Sequence, residues 1–179
     1  RAMKNFNLSQ VNVLIVEQQM FTRQLMRDVL HALGIVNVTA SYADDLFDAT
    51  DLDFSPDMIF TDWSPSMDGV DLIKSIRRNQ ANLDRFVPVV VVSAYTDLEH
   101  VCQARDAGMT EYLARPVSGE MIYRRICALV EHPRNFIETK MFFGPDRRRR
   151  VMDFGHDEMR NGAPVMMPVP ERVSERAMH

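Results

Sequence analysis

Pro88-Val89-Val90-Val91-Val92 is the stretch that most constrains this chain. Four consecutive valines are too few for a helix of their own, and their β-branched side chains favour extended backbone. Successive residues of a strand face opposite sides of a sheet, so a strand that is apolar at every position must be covered on both faces. Four companion runs read the same way: Val11–Val16, Ile35–Ala40, Thr110–Ala114, and Met58-Ile59-Phe60-Thr61, which leads into Asp62 and Trp63.

Helical patterns lie between these runs. Phe21, Leu25, Met26, Val29, Leu30 and Leu33 fall near an i, i+4, i+8 row, and Gly34 stops the helix. A short helix rich in Asp44, Asp45 and Asp48 is expected from Tyr42 to about Leu52, with Ser55-Pro56 as its breaker. A third helix opens at Asp68-Gly69 with Val70, Ile73 and Ile76 inward. Thr96-Asp97-Leu98-Glu99 reads as a capping box for a fourth, which Gly108 ends. Ser118 caps a fifth, with Ile122, Ile126, Leu129 and Val130 on one face and Pro133 beyond its end. Five apolar strands alternating with five helices predict an α/β fold: a doubly wound, five-stranded parallel sheet, (βα)5, covered on both sides. We place this domain at residues 8–131 and a C-terminal arm at 132–179. The arm carries five of the nine prolines and little apolar periodicity, so it is expected to be extended or partly disordered.

Composition narrows the function classes. Apolar residues make up 46 % of the 179, enough for a real core. The net charge of −4 gives no overall nucleic-acid footprint. Residues 132–179 hold nine Lys and Arg against seven Asp and Glu, which leaves −6 for the rest. No stretch approaches the ~18 apolar residues of a membrane span. Cys102 and Cys127 lack metal-ligand spacing and read as reduced thiols, which points to the cytoplasm. The five histidines show no ligand spacing either.

In a parallel sheet the chemistry gathers beyond the carboxyl ends of the strands. Four strands bring polar groups there: Glu17 and Gln18, Asp62, Ser93, and Arg115. A lone Asp62 would be a turn cap; four converging ends make a site.

These residues, with the loop Ser64-Pro65-Ser66-Met67-Asp68-Gly69 and the Arg115-Pro116 pair, resemble the CheY-like receiver domains of bacterial two-component response regulators over residues 11–131. The resemblance implies that Asp62 is the phospho-acceptor, Ser93 the hydroxyl following the phosphoryl group, and Tyr112 the switch aromatic. It implies Mg²⁺ held by Glu17, Asp62 and the Ser64 backbone carbonyl, and a cis Arg115–Pro116 bond. It implies a histidine kinase or phosphotransfer protein as phosphodonor, a downstream protein target, and no enzymatic activity beyond phosphotransfer to Asp62 and its autodephosphorylation.

The chain also departs from the family pattern. Gln18 stands where a second acid is usual, so Mg²⁺ binding is expected to be weakened. Arg115 replaces the usual lysine; its planar fork can clamp a phosphate or pair with Asp62 and occupy the site. The loop from Asp62 to Gly69 is one residue shorter. The expected function is therefore a stand-alone response regulator or adaptor in a phosphorelay, with a phosphorylation-independent pseudo-receiver as the alternative. The last helices and the Tyr112 strand are the expected transmitting surface, and Trp63 is expected to be exposed.

The arm has no recognition-helix pattern, so no DNA-binding domain is read into it. Its sharpest feature is Phe142-Phe143-Gly144-Pro145-Asp146 followed by Arg147, Arg148, Arg149 and Arg150. Two readings apply. One is a basic turn docking on the chain's own body or on a second copy, giving a homodimer through the arm. The other is a phosphate-bearing ligand, for which some CheY-like cyclic-di-GMP effectors are the precedent.

Overall fold

The structure is a computed structural model, described over residues 6–42, 55–63, 69–81, 83–147 and 165–167. In chain order it holds β1 (Asn12–Val16), α1 (Met20–Ala32), β2 (Asn37–Ser41), β3 (Met58–Thr61), α2 (Gly69–Arg77), β4 (Val89–Ser93), α3 (Leu98–Ala107), β5 (Glu111–Ala114) and α4 (Gly119–Glu131). Three short strands follow: β6 (Phe136–Glu138), β7 (Phe143–Pro145) and β8 (Val165–Met167). The helix expected over 42–52 lies, apart from Tyr42, outside the described residues.

Strands β1 to β5 form one parallel sheet in the order β2-β1-β3-β4-β5. The chain starts in the middle, steps out to β2, then returns past β1 to β3. That reversal opens a crevice at the carboxyl ends of β1 and β3.

The apolar runs behave as two-faced strands. Leu14, Val16, Ile59, Val89 and Val91 enter one core with α2 and α3 residues such as Leu72, Ile73, Ile76 and Ala104. Val13, Ile15, Met58, Phe60, Val90 and Val92 enter the other with Met26, Leu30, Ile122 and Ile126. Alternate residues of one strand thus serve opposite layers, which is why no polar residue interrupts these runs.

Three local expectations are corrected. Ile35 is not strand. Gly34, at φ 89°, donates its N–H to His31 and Ile35 donates to Leu30, so helix α1 ends in a Schellman cap and β2 starts two residues later. Phe21 and Leu25 are 80 % and 53 % exposed, while Met26 and Leu30 are buried. An i, i+4 row drifts about 40° round a helix at each step, so the row from Phe21 reaches the core only at Val29 and Leu33. The cap of α3 is Asp97, whose side chain accepts from the His100 N–H, and not Thr96.

Beyond α4 the chain folds back. β6 and β7 pair antiparallel, and β8 pairs with the other edge of β6. Phe136 is buried, and its ring lies 5.2 Å from those of Phe86 and Phe143. The guanidinium of Arg85 sits 3.4 Å over Phe143 and bonds Glu138 at 3.0 Å. Gly108 and Gly144 let the hairpin approach: a Cβ on Gly144 would stand 3.1 Å from the Gly108 Cα. The arm has little apolar periodicity because three phenylalanines and two arginine–ring contacts, rather than a helical stripe, hold this part of it.

Candidate functional site

Four of the expected site residues owe their place to a strand end. Asp62 follows β3 and is 7 % exposed; Glu17 follows β1 and is 4 % exposed; Ser93 ends β4 with no exposure. Arg115 follows β5, and its bond to Pro116 is cis. Gly69 opens α2 against this point: a Cβ there would stand 2.3 Å from the Asp62 carbonyl oxygen, so only glycine fits.

The centre of the site is a guanidinium between two carboxylates. Arg115 Nη2 lies 2.7 Å from Glu17 Oε2 and 3.5 Å from Asp62 Oδ1. Glu17 also accepts the Gln19 N–H through its other oxygen, at 2.9 Å. Burial raises the Asp62 pKa above 3.8; Arg115 pulls it down and Glu17 pushes it up. The cavity at this point, lined by Glu17, Thr22, Asp62 and Arg115 among others, has about 10 Å³ of free volume, no more than one water occupies. Gln18 is half-buried beside Glu17. Ser64 lies outside the described residues.

Ser93 ties two loops together. Its hydroxyl donates to the Trp63 carbonyl, and its oxygen accepts the Tyr95 N–H at 3.2 Å. The Tyr112 hydroxyl donates to the Tyr95 carbonyl, so the half-buried ring is tied to the same loop. Burial, first of all, raises its pKa.

Trp63 is buried rather than exposed, a correction to the sequence reading. Its ring meets the His100 imidazole at 4.3 Å, tilted, and the Tyr95 ring stacks on the same imidazole at 5.2 Å. His100 Nδ1 lies 2.5 Å from Asp97 Oδ2, and that contact lowers the Asp97 pKa. Sequence reasoning missed this stack, because nothing in a sequence couples residues 37 positions apart. The Asp97 cap was the one readable signal, since it fixes where the first turn of α3 presents His100.

Of the arginine run, Arg147 is described and Arg148 to Arg150 lie outside the described residues. Arg147 is far from Asp62 in the fold: it donates to the Met109 carbonyl, at the amino end of β5, at 2.6 Å. Among the described residues, no three acids, histidines or cysteines converge on one point. No helix among them is long and apolar enough to cross a membrane.

Residues 13–127 match the family described as the response regulator receiver domain. The chain is 29 % identical to the chemotaxis protein CheY-3 of Vibrio cholerae over 126 residues, which cover 68 % of this chain and 92 % of that one. It is 34 % identical over 124 residues to the KDP operon transcriptional regulatory protein KdpE of Escherichia coli, covering 68 % of this chain and 52 % of that protein. Among solved structures, Vibrio cholerae CheY4 superposes with a TM-score of 0.55 at 24 % identity, covering 65 % and 95 % of the two chains.

Proposed function

This chain belongs to the family of response regulator receiver domains, and from that premise we propose that it signals by protein–protein contact with Asp62 as phospho-acceptor. The observation that carries the reading is the meeting of Asp62, Ser93, Arg115 and Glu17 at one sheet edge. The phosphodonor is a histidine kinase or phosphotransfer protein. An Asp62 carboxylate oxygen attacks the phosphorus of a phosphohistidine, the P–N bond breaks as the O–P bond forms, and the imidazole leaves with a proton from solvent. The product is an acyl phosphate on Asp62. Arg115 is placed to move from Asp62 to the new phosphoryl oxygens, and the Ser93 hydroxyl to exchange the Trp63 carbonyl for one of them. Tyr112, tied to the Tyr95 carbonyl, is placed to report that exchange to the β5 surface, where the downstream protein binds.

The donor set suits a cation, since two buried carboxylates already hold one, the Arg115 guanidinium. Glu17 and Asp62 would hold Mg²⁺, with Gln18 and the Ser64 carbonyl as weaker oxygen donors. When bound, the ion neutralises the phosphoryl oxygens during transfer. Arg115 would compete with it for the same oxygens, which supports weak binding. The exposed Met20, Phe21 and Leu25 lie on α1, whose first turn adjoins Glu17, and offer the donor an apolar seat. Two half-buried free cysteines suit a reducing, cytoplasmic setting.

A second reading, a receiver that works without phosphorylation, is favoured by the bridging guanidinium and the absence of room at Asp62. A cyclic-dinucleotide reading of Arg147–Arg150 has only Arg147 among the described residues to rest on. Intact-mass spectrometry after incubation with Mg²⁺ and acetyl phosphate separates the first two. One phosphoryl adduct, absent in Asp62→Asn, supports the phospho-switch. No adduct in the wild type, with labelling gained by Gln18→Asp plus Arg115→Lys, supports the locked receiver.

A further inference from the structure

A cavity away from Asp62 is lined by charged side chains. It lies between the start of β5 and the chain returning from β7, with a volume of about 580 Å³, and is lined by Thr110, Glu111, Tyr112, Arg134, Asp146 and Arg147 among others. That volume is in the range of small-molecule sites. A second depression of about 450 Å³, reaching Arg105 and Phe142, shares Asp146 and Arg147 as its wall.

Its charges are unevenly matched. Arg125 and Arg134 share the two oxygens of one acid, Glu111, at 3.1 and 2.6 Å. Arg105 is paired with Asp106 at 2.7 Å. Arg147 reaches a backbone carbonyl with one nitrogen, and its Nε is buried with no hydrogen-bond partner among the described residues. Burial, then the nearby charges of Arg134 and Arg105, hold the Arg147 pKa down to about 10. Arg134 and Arg147 line this cavity with Glu111 and Asp146, and Glu111 is already shared with Arg125. Cations held together at this cost, one with an unmatched buried donor, make a place for an anion. Guanidinium forks match phosphate oxygens in particular.

We propose that this cavity is a second ligand site, taking a small phosphate-bearing molecule on Arg134 and Arg147, and that Tyr112 is the wall it shares with the Asp62 centre. The shared wall is a chain of contacts. The Tyr112 hydroxyl holds the Tyr95 carbonyl, the Tyr95 ring stacks on His100, and His100 packs on Trp63 beside Asp62. The site does not depend on whether Asp62 is phosphorylated.

The test is calorimetry on the full chain with sodium pyrophosphate and with GTP, in wild type, Asp62→Asn, Arg134→Gln and Arg134→Lys. Trp63, the single tryptophan, is followed by fluorescence alongside. Pyrophosphate binding alone identifies a phosphate site; tighter GTP binding adds a nucleoside to the ligand. Binding should persist in Asp62→Asn, drop about tenfold in Arg134→Gln, and recover in part in Arg134→Lys, since a lost charge-assisted hydrogen bond has that size. Thermal melts that match the wild type show that Arg134→Gln stays folded. Saturation should shift Trp63 emission. No heat with either probe at millimolar concentration, binding indifferent to Arg134→Gln, or binding lost in Asp62→Asn overturns the site. Binding with unchanged Trp63 emission overturns the shared wall.

Discussion

Arg77 and Arg115 sit at opposite ends of the same sheet and are used in opposite ways. Arg115, at the carboxyl end, is a quarter exposed and pairs with two carboxylates. Arg77, at the amino end, is 2 % exposed and pairs with backbone: it donates to the carbonyls of Gly108, Arg85 and Val87 at 2.9, 2.7 and 2.7 Å. The Phe136 ring of the hairpin covers it at 5.0 Å. Burial pushes its pKa down to about 9. Its Nε and Nη1 are held by three carbonyls under the ring, which fixes the loops before β4 and β5 and the hairpin upon them. A guanidinium shared unequally between two acids has a nearby alternative partner at every moment. The lower end is built to stay and the upper end to rearrange.

The largest effects should come from the lower end. Arg77→Met leaves three carbonyls without their donor and should cost about 3–5 kcal/mol, read as a lowered urea midpoint with unchanged slope. An effect under about 1 kcal/mol would mean that the loops hold themselves and the contrast fails. Phe136→Ala empties the aromatic cluster and should cost about 3 kcal/mol. The same variant should leave acetyl-phosphate labelling of Asp62 unchanged, because the sheet lies between the two ends.

At the upper end, substitution should change function more than stability. Arg115→Gln frees the two carboxylates, and Mg²⁺ affinity, followed through Trp63 emission, should rise about tenfold as the competing cation goes. A fall would mean that Arg115 assists the ion. Asp62→Asn should raise the melting temperature by about 2–4 °C at neutral pH. The sign follows from the raised pKa: the folded chain prefers the protonated carboxyl, so the ionised form costs stability above that pKa. The advantage of the asparagine should fade as pH falls through the raised pKa towards 3.8. The smallest effect on stability belongs to Phe21→Asp, within about 0.5 kcal/mol for so exposed a side chain. It should nevertheless slow phosphotransfer from a protein donor and leave acetyl-phosphate labelling alone.

The sheet was legible because its three central strands are apolar at nearly every position, a pattern that burial on both faces explains. The upper site was legible because each strand's last residue is local information: once β1, β3, β4 and β5 are placed, Glu17, Asp62, Ser93 and Arg115 must meet. The partner of Arg115 was not. A guanidinium reaches several oxygens from one backbone position, and the choice of Glu17 over Asp62 depends on distances of less than an ångström. Trp63 was misplaced because strand and helix periods do not govern a residue in a loop, and its neighbour His100 arrives from another helix.

Sequence alone therefore determined the fold class, the edge that carries the chemistry and the polar residues that end there. These follow from periodicity and chain order, which are local properties. Tertiary structure alone decided that Arg115 bridges two acids, that Trp63 is buried against His100, and that Arg77 holds a hairpin through Phe136 at the opposite end. Each of those depends on groups far apart in the chain meeting at a set distance, and on what each gives up to leave water.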